Sequence, residues 1–150
     1  MKIQVDRTVE HIMQGLALSV LEGGHPIIVA TADDSLKKAD DWFIRHDVHH
    51  LPVVDALESR KLIGIVSTTD LLTYYRAHPG ANLAEVSVGQ VMTREPETIA
   101  PHTTIADAAE ILAGAKYHSL PVVDSTGRCV GIVTTRDIIK YVAEQVKAPG

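Results

Sequence analysis

The hydrophobic positions of the chain form short uninterrupted runs that are separated by amphipathic stretches. In the first half these runs are Ile27–Ala30, Leu51–Val54 and Leu62–Val66, and such runs are typical of strands that are covered on both faces. Asp34 and Ser35 come before a helical stretch and are suited to cap it, because their side-chain oxygens accept the first free amides. The stripe of this helix expected to face the core consists of Leu36, Ala39 and Phe43.

The second half has the same order of elements. Its apolar runs are Leu120–Val123 and Cys129–Val133, and Glu97–Ile99 takes the place of the first strand. Thr103 and Thr104 stand where a helix cap is expected. The corresponding helical stripe consists of Ile105, Ala108, Ala109 and Leu112. A last helix is predicted in each half, from near Thr68 and Thr135, and its predicted inward residues are Leu71, Leu72 and Tyr75, or Ile138, Ile139 and Val142.

An internal repeat explains this parallel. The segment HHLPVVD at 49–55 recurs as HSLPVVD at 118–124, and GIVSTTDLL at 64–72 recurs as GIVTTRDII at 131–139. Over the aligned stretches 48–55 and 64–75, 12 of 20 positions are identical, where ordinary composition gives roughly one or two. We infer a duplicated unit with the order strand, helix, strand, strand, helix.

The repeat predicts an α+β fold in which two β-α-β-β-α units pack pseudo-symmetrically through their sheets, because each small sheet alone leaves one face uncovered. The first unit is expected over residues 7–76, with an insertion at 14–25, and the second over 86–147. Residues 77–85 are the predicted linker. The apolar face of the insertion is a candidate docking or dimer contact, with core packing as the alternative.

Composition narrows the classes of function. The formal net charge is -5 and only 4% of residues are aromatic, so neither a basic surface for duplexes nor stacking platforms for single strands are expected. No apolar run approaches the roughly 20 residues of a membrane span, and Met1–Val5 lacks a secretory pattern. The single cysteine, Cys129, lies in an apolar run and is expected to be a buried, inert thiol. We therefore expect a cytoplasmic protein without direct nucleic-acid or membrane partners.

A family resemblance rests on the ordered set of motifs. An apolar-Met pair (Ile12-Met13, Val91-Met92) is followed by LPVVD and then by GIV-S/T-x-x-D, and the set occurs twice. It resembles the cystathionine-β-synthase (CBS) domain, and the duplication resembles a Bateman module, from about Thr8 to Val146. The resemblance implies a regulatory protein without catalytic cofactor that binds AMP, ADP, ATP or S-adenosylmethionine in clefts between the repeats. It also implies a homodimer in the form of a flat disc, whose state is read by the dimer itself or by a separate effector protein.

The candidate site residues combine this resemblance with simple chemistry. Asp70 and Asp137 each follow a hydroxyl residue, Ser67 or Thr134, by three positions near a helix start. The resemblance implies that the aspartates accept the ribose hydroxyls, whereas Ser67, Thr134 and the residues before the aspartates reach phosphate. Those preceding residues are Thr69 and Arg136. Simple helix capping is the alternative interpretation of both aspartates.

Other polar positions complete the expected site. The resemblance brings His49, His118 and Thr103 towards the phosphates, while the position of Thr103 is taken by Asp34 in the first repeat. An acidic residue there would repel phosphate, which puts the equivalence of the two sites in question. Arg136 offers a fork of donors, so its site is the better candidate for a di- or triphosphate. A solvated surface charge is the alternative interpretation of Arg136, and a hydrogen-bonded rim residue that of each histidine.

Three rival functions remain open at this point. One is a metal sensor, because His46, Asp47, His49 and His50 cluster where the first helix ends. The second is an enzyme, although no glycine-rich phosphate loop or activated nucleophile is present. The third is a docking or structural CBS pair that binds no nucleotide.

Overall fold

The computed structural model describes residues 3–4, 6–15, 27–115 and 117–148. Within these residues the chain has seven short strands and four α-helices. The strands are β1 (Gln14–Gly15), β2 (Ala30–Thr31), β3 (His50–Val54), β4 (Leu62–Ser67), β5 (Thr93–Arg94), β6 (Ser119–Val123) and β7 (Cys129–Thr134). The helices are α1 (Leu36–His46), α2 (Thr68–Ala77), α3 (Ile105–Gly114) and α4 (Thr135–Lys147). The predicted α+β class is confirmed.

The chain divides into two compact lobes. The repeat-1 lobe contains residues 28–96 and 127–129, and the repeat-2 lobe contains the described residues among 1–27, 97–126 and 130–150. In the repeat-1 lobe the strand order is β2-β3-β4-β5, with β2 parallel to β3 and the other pairs antiparallel. In the repeat-2 lobe the order is β1-β7-β6, and β1 runs antiparallel to β7.

Each lobe contains the leading segment of the other predicted repeat. The first residues of repeat 1 belong to the repeat-2 lobe, where the amide of Ile105 donates to the carbonyl of Arg7 at 2.7 Å. The first residues of repeat 2 belong to the repeat-1 lobe, where the amide of Leu36 donates to the carbonyl of Val86 at 2.8 Å. The boundaries 7–76 and 86–147 describe the order of the repeats along the chain, and they stay a prediction. The compact lobes differ from these ranges because each contains the leading segment of the other repeat.

The helix starts are as the sequence predicts. Ser35 caps α1 by accepting the amide of Lys38 at 3.1 Å, and Thr104 caps α3 by accepting the amide of Asp107 at 3.1 Å. The predicted stripes are buried, apart from the half-buried Ala109. Gly127 has a φ of 86° in the second hairpin, as its turn position requires.

Two expectations about the sheets and helices are wrong. Glu97–Ile99 forms only a single parallel bridge, between Ile99 and Val122, because Pro101 follows two residues later and has no amide to extend the pairing. In the last helices the expected inward residues Leu72, Tyr75, Ile139 and Val142 are exposed. The partly buried Leu71 and Ile138 face the core as predicted, but they share it with Tyr74 and Tyr141, three residues further on.

Each lobe has its own apolar core. The central strands supply Leu51, Val53 and Val66 to one core and Leu120, Val122 and Val133 to the other, all fully buried. Cys129 is buried, as expected. The predicted insertion at 14–25 begins with β1, and its remainder lies outside the described residues. Among the helices that the structure describes, none combines the length and the apolar character needed to cross a bilayer.

Candidate functional site

The start of α2 holds a reciprocal pair of hydrogen bonds. The amide of Ser67 donates to Oδ2 of Asp70 at 2.8 Å, and the amide of Asp70 donates to Oγ of Ser67 at 3.1 Å. The pair satisfies two helix amides that have no partner inside the helix. Asp70 is half-buried, and no hydrogen bond to its Oδ1 is recorded within the described residues.

The start of α4 repeats this geometry in the repeat-2 lobe. The amide of Thr134 donates to Oδ2 of Asp137 at 2.8 Å, and the amide of Asp137 donates to Oγ1 of Thr134 at 3.2 Å. Helix capping, the alternative interpretation of both aspartates, is thus a role that they do perform. It engages one carboxylate oxygen of each, so that the second oxygen is left to accept other donors.

The electrostatic environment of Asp137 follows from its burial. Removal from water raises the pKa of the Asp137 carboxyl above its ordinary value of 3.8. The hydrogen bonds from Thr134 and the positive charges of Lys140 and Arg136 lower the pKa, but they offset only part of this effect. The carboxylate is therefore less well solvated than an ordinary surface aspartate, and a donor that reached it would be bound more strongly.

The predicted histidines lie at the same two helix starts. The carbonyl of His49 accepts the amide of Thr68 at 3.0 Å, and the carbonyl of His118 accepts the amide of Thr135 at 2.9 Å. Both imidazoles are exposed, as are the side chains of the two residues before the aspartates, Thr69 and Arg136. Each lobe therefore gathers a histidine, a hydroxyl, an aspartate and the residue before it around one helix N-terminus.

Thr103 and its counterpart Asp34 occupy equivalent turns rather than joining that group through hydrogen bonds. Oγ1 of Thr103 accepts the amide of Ala100 at 3.1 Å, and Oδ2 of Asp34 accepts the amide of Thr31 at 2.8 Å. Oδ1 of Asp34 is also ion-paired with Nζ of Lys38 at 3.0 Å. Lys38 compensates part of the negative charge that, from the sequence, was expected to repel phosphate. The i, i+4 spacing of Asp34 and Lys38 is the signal in the sequence that could have indicated this pair.

The clustered histidines do not form a metal centre in the part of the chain that the structure describes. There, no group of three or more His, Cys, Asp or Glu side chains is close enough to share a metal ion. His46 ends α1, and Asp47 follows it in the left-handed conformation with a φ of 50°. The chain therefore turns between His46 and His50, which begins β3.

Comparison with known proteins identifies the family. The sequence profile of the CBS domain matches residues 24–77 and 88–144. The chain belongs to the CBS domain family. Its two matched regions are the two repeats, so the chain carries a CBS pair.

Curated relatives of this CBS pair differ widely in length. It is 35% identical over 112 residues to the inosine-5'-monophosphate dehydrogenase of Korarchaeum cryptofilum, a match that covers 75% of this chain and 21% of that enzyme. It is 32% identical over 146 residues to the chloroplastic CBS domain-containing protein CBSX1 of Arabidopsis thaliana, covering 80% and 58% of the two chains. The chain thus spans about a fifth of the first relative and less than two thirds of the second.

Solved structures of similar CBS pairs carry adenosine compounds. CBSX2 in complex with AMP is 28% identical, with a TM-score of 0.73 over 95% of this chain and 99% of that one. The CBS domain pair of MJ0100, in complex with 5'-methylthioadenosine and S-adenosyl-L-methionine, is 27% identical, with a TM-score of 0.74 over 90% and 98%. Both structures agree with the fold described above.

Proposed function

We propose that this CBS pair is a regulatory, non-catalytic module that binds an adenosine-containing ligand, either AMP, ADP, ATP or S-adenosylmethionine. The observation that carries the proposal is the twice-built helix start, where a half-buried aspartate has one oxygen engaged in capping and the other available. Vicinal ribose hydroxyls are donors that suit such an oxygen. The adenosine ligands in the structures of CBSX2 and MJ0100 support the same ligand class.

Each polar group has a separate part in this proposal. Oδ1 of Asp70 and of Asp137 accepts the ribose hydroxyls, while the exposed imidazoles of His49 and His118 face the phosphates. Further phosphate contacts come from Ser67, Thr69, Thr103, Thr134 and Arg136. Arg136 gives the repeat-2 site a full positive charge where the repeat-1 site has Thr69, so the longer phosphate chains bind at the repeat-2 site.

Regulation requires a partner that reads the ligand. A ligand shifts the module between two states only by the difference between its affinities for them. We propose that the chain forms a cytoplasmic homodimer through the apolar residues that α2 and α4 expose, and that this dimer responds to the ligand. We propose that a separate effector protein also responds to it. The positions are equivalent in the two repeats, since Leu72 corresponds to Ile139 and Tyr75 to Val142.

A nucleotide-free docking role is the second candidate. It is favoured by the fact that both capping pairs are complete within the protein, so the helix starts need no ligand for their stability. In that case the exposed apolar residues alone carry the function.

A thermal-shift panel separates the two candidates. AMP, ADP, ATP, S-adenosylmethionine and NAD are added in increasing amounts, with GTP as the control for the base. A bound ligand raises Tm with the logarithm of its free concentration once this exceeds Kd. Absence of any rise up to millimolar concentrations contradicts the ligand-sensing role and favours docking.

A matched pair of variants then tests the site. Asp137→Asn keeps the shape and an acceptor for the Thr134 amide but removes the charge, and should weaken the adenosine ligand about tenfold or more by calorimetry. Asp107→Asn changes an aspartate three residues after the N-cap of α3 and should leave the affinity unchanged. Equal affinities of the two variants for the adenosine ligand would show that Asp137 is not part of the site.

A further inference from the structure

Arg60 has a backbone conformation that normally belongs to glycine. Its φ is 54°, and Gly127, the residue at the equivalent place in repeat 2, has a φ of 86°. The equivalence follows from Gly64 and Gly131, which show the same separation of 67 residues in the repeated GIV motif. Side chains other than glycine are strained at positive φ. Repeat 1 thus keeps an arginine where repeat 2 uses the unstrained residue.

The backbone around Arg60 is firmly held. Its amide donates to the carbonyl of Ala56 at 2.8 Å, and its carbonyl accepts the amide of Cys129 at 2.8 Å. The strained conformation therefore belongs to a fixed turn of the repeat-1 lobe. A strained position that is held in this way is where a functional side chain is expected.

The guanidinium of Arg60 has two buried donors without partners. Nε and Nη2 are shielded from solvent and make no hydrogen bond. In the described part of the chain, these two are the buried side-chain nitrogen or oxygen atoms that lack a partner. These two nitrogens share one edge of the guanidinium, the edge that pairs side-on with two oxygens of a carboxylate or phosphate. A buried charged donor without an acceptor is costly, so an anion of matching shape is a suitable partner for this edge.

The neighbouring residues carry charges of both signs. Lys61 stands opposite Arg128 in an antiparallel bridge, and Asp55 lies in the same turn, where its Oδ1 accepts the amide of Lys61 at 3.0 Å. The side chain of Lys61 also passes over Gly127, with Cε 3.8 Å from the place of a β-carbon there.

We propose that the turn at Arg60 is an oxyanion site for a phosphate group, separate from the helix starts and independent of the proposed nucleotide function. Arg60 binds the phosphate side-on through Nε and Nη2, and Lys61 is its neighbour in the same turn. Arg60 as a whole is only half-buried, so part of its side chain is open to solvent. The phosphate comes either from inorganic phosphate or from a larger phosphorylated molecule.

The test is calorimetric titration of the full chain with inorganic phosphate and with pyrophosphate, at an ionic strength held constant with chloride. All proteins carry Arg136→Ala, which removes the phosphate contact proposed at α4. Arg60→Gly, which copies the residue of repeat 2, should weaken binding at least tenfold, and Arg60→Lys should also weaken it because an ammonium lacks the side-on pair. Arg45→Ala, at an exposed arginine of α1, should bind like the parent.

Stability without phosphate gives an independent reading. Arg60→Gly relieves the strain and removes the buried donors, so its Tm should rise by about 2 °C or more above the parent. Titration with ATP then identifies the source: a tenfold loss of ATP affinity in Arg60→Gly indicates the phosphate chain of a nucleotide, and an unchanged affinity indicates free phosphate. The proposal is overturned if Arg60→Gly binds phosphate, pyrophosphate and ATP as tightly as the parent, or if the parent binds none of them.

Discussion

Thr134 and Asp137 hold each other through two hydrogen bonds, one from each backbone amide to the side chain of the other residue. The bonds fix the carboxylate at the start of α4 and engage its Oδ2. A residue can thus stabilise a helix and still present an acceptor to a ligand. Sequence reasoning treats these two roles as alternatives, but this geometry permits both.

The raised pKa of Asp137 predicts a pH dependence of stability. The native state holds this proton more tightly than the unfolded chain, whose value is near 3.8. The stability that this group contributes is therefore fully present below that pH and is lost as pH rises through the higher folded-state pKa. Asp137→Asn removes the titration, so the variant should gain stability relative to the parent as pH rises through this window.

Urea denaturation of both proteins at a series of pH values measures the difference, and the carboxyl carbon shift of Asp137 gives its pKa directly. Other carboxylates titrate in the same range, and taking the difference between the two proteins cancels them. Parallel stability curves across the window would show that burial does not perturb this group.

Leu120 tests the core of the repeat-2 lobe. It is fully buried in β6, so Leu120→Ala should lower the free energy of unfolding by about 2 to 5 kcal/mol. Leu57, which is 65% exposed in the first hairpin, offers a matched control, and Leu57→Ala should change it by less than about 0.5 kcal/mol. Similar denaturation midpoints for the two variants would mean that β6 is not part of a packed core.

Gly64 tests how closely the leading segment of repeat 2, which contains Met92 and Thr93, packs in the repeat-1 lobe. A β-carbon at Gly64 would lie 2.7 Å from Sδ of Met92 and 2.9 Å from the carbonyl oxygen of Thr93. The backbone oxygen cannot move aside cheaply, so Gly64→Ala should destabilise the protein by about 1 to 3 kcal/mol. Gly114, at the end of α3, has open space around it, and Gly114→Ala should leave stability unchanged or raise it by up to about 1 kcal/mol. An unchanged Tm for Gly64→Ala would contradict the close contact between β4 and the Met92 segment.

The elements of the fold were largely predictable because their signals are local. Ser35 and Thr104 cap the helices they precede, and the strands containing Leu51 and Leu120 are buried as their apolar runs indicate. The exchange of leading segments was not predictable, since nothing in a linear sequence states which lobe Val9 or Val88 will pack against. Tyr74 and Tyr141 are identical in the two repeats, and this identity was the signal in the sequence that could have oriented the last helices.

The positions of the histidines in the candidate site were predictable from the repeat. The repeat alone brings His49 and His118 to the helix starts, because the strand that begins beside each histidine pairs with the strand that ends at Ser67 or Thr134. The ion pairs and buried donors were less predictable than the positions of the histidines. The i, i+4 spacing of Asp34 and Lys38 permits their ion pair, but its formation depends on side-chain conformation. The buried edge of Arg60 likewise depends on a conformation that a residue pattern does not specify.

The exposed residues of the last helices predict the behaviour of the proposed homodimer. Leu72 is 50% exposed on α2 and Ile139 is 63% exposed on α4, at equivalent positions of the two repeats. A charge placed at a buried dimer contact is left without water or partner. Ile139→Glu should therefore convert the dimer to a monomer at micromolar concentration, as measured by sedimentation equilibrium. Leu57→Glu places the same charge at an exposed leucine of the hairpin and should remain dimeric. If the parent is already a monomer, or if Ile139→Glu sediments as a dimer, these helices are not the dimer contact, and their apolar residues are left for the effector protein.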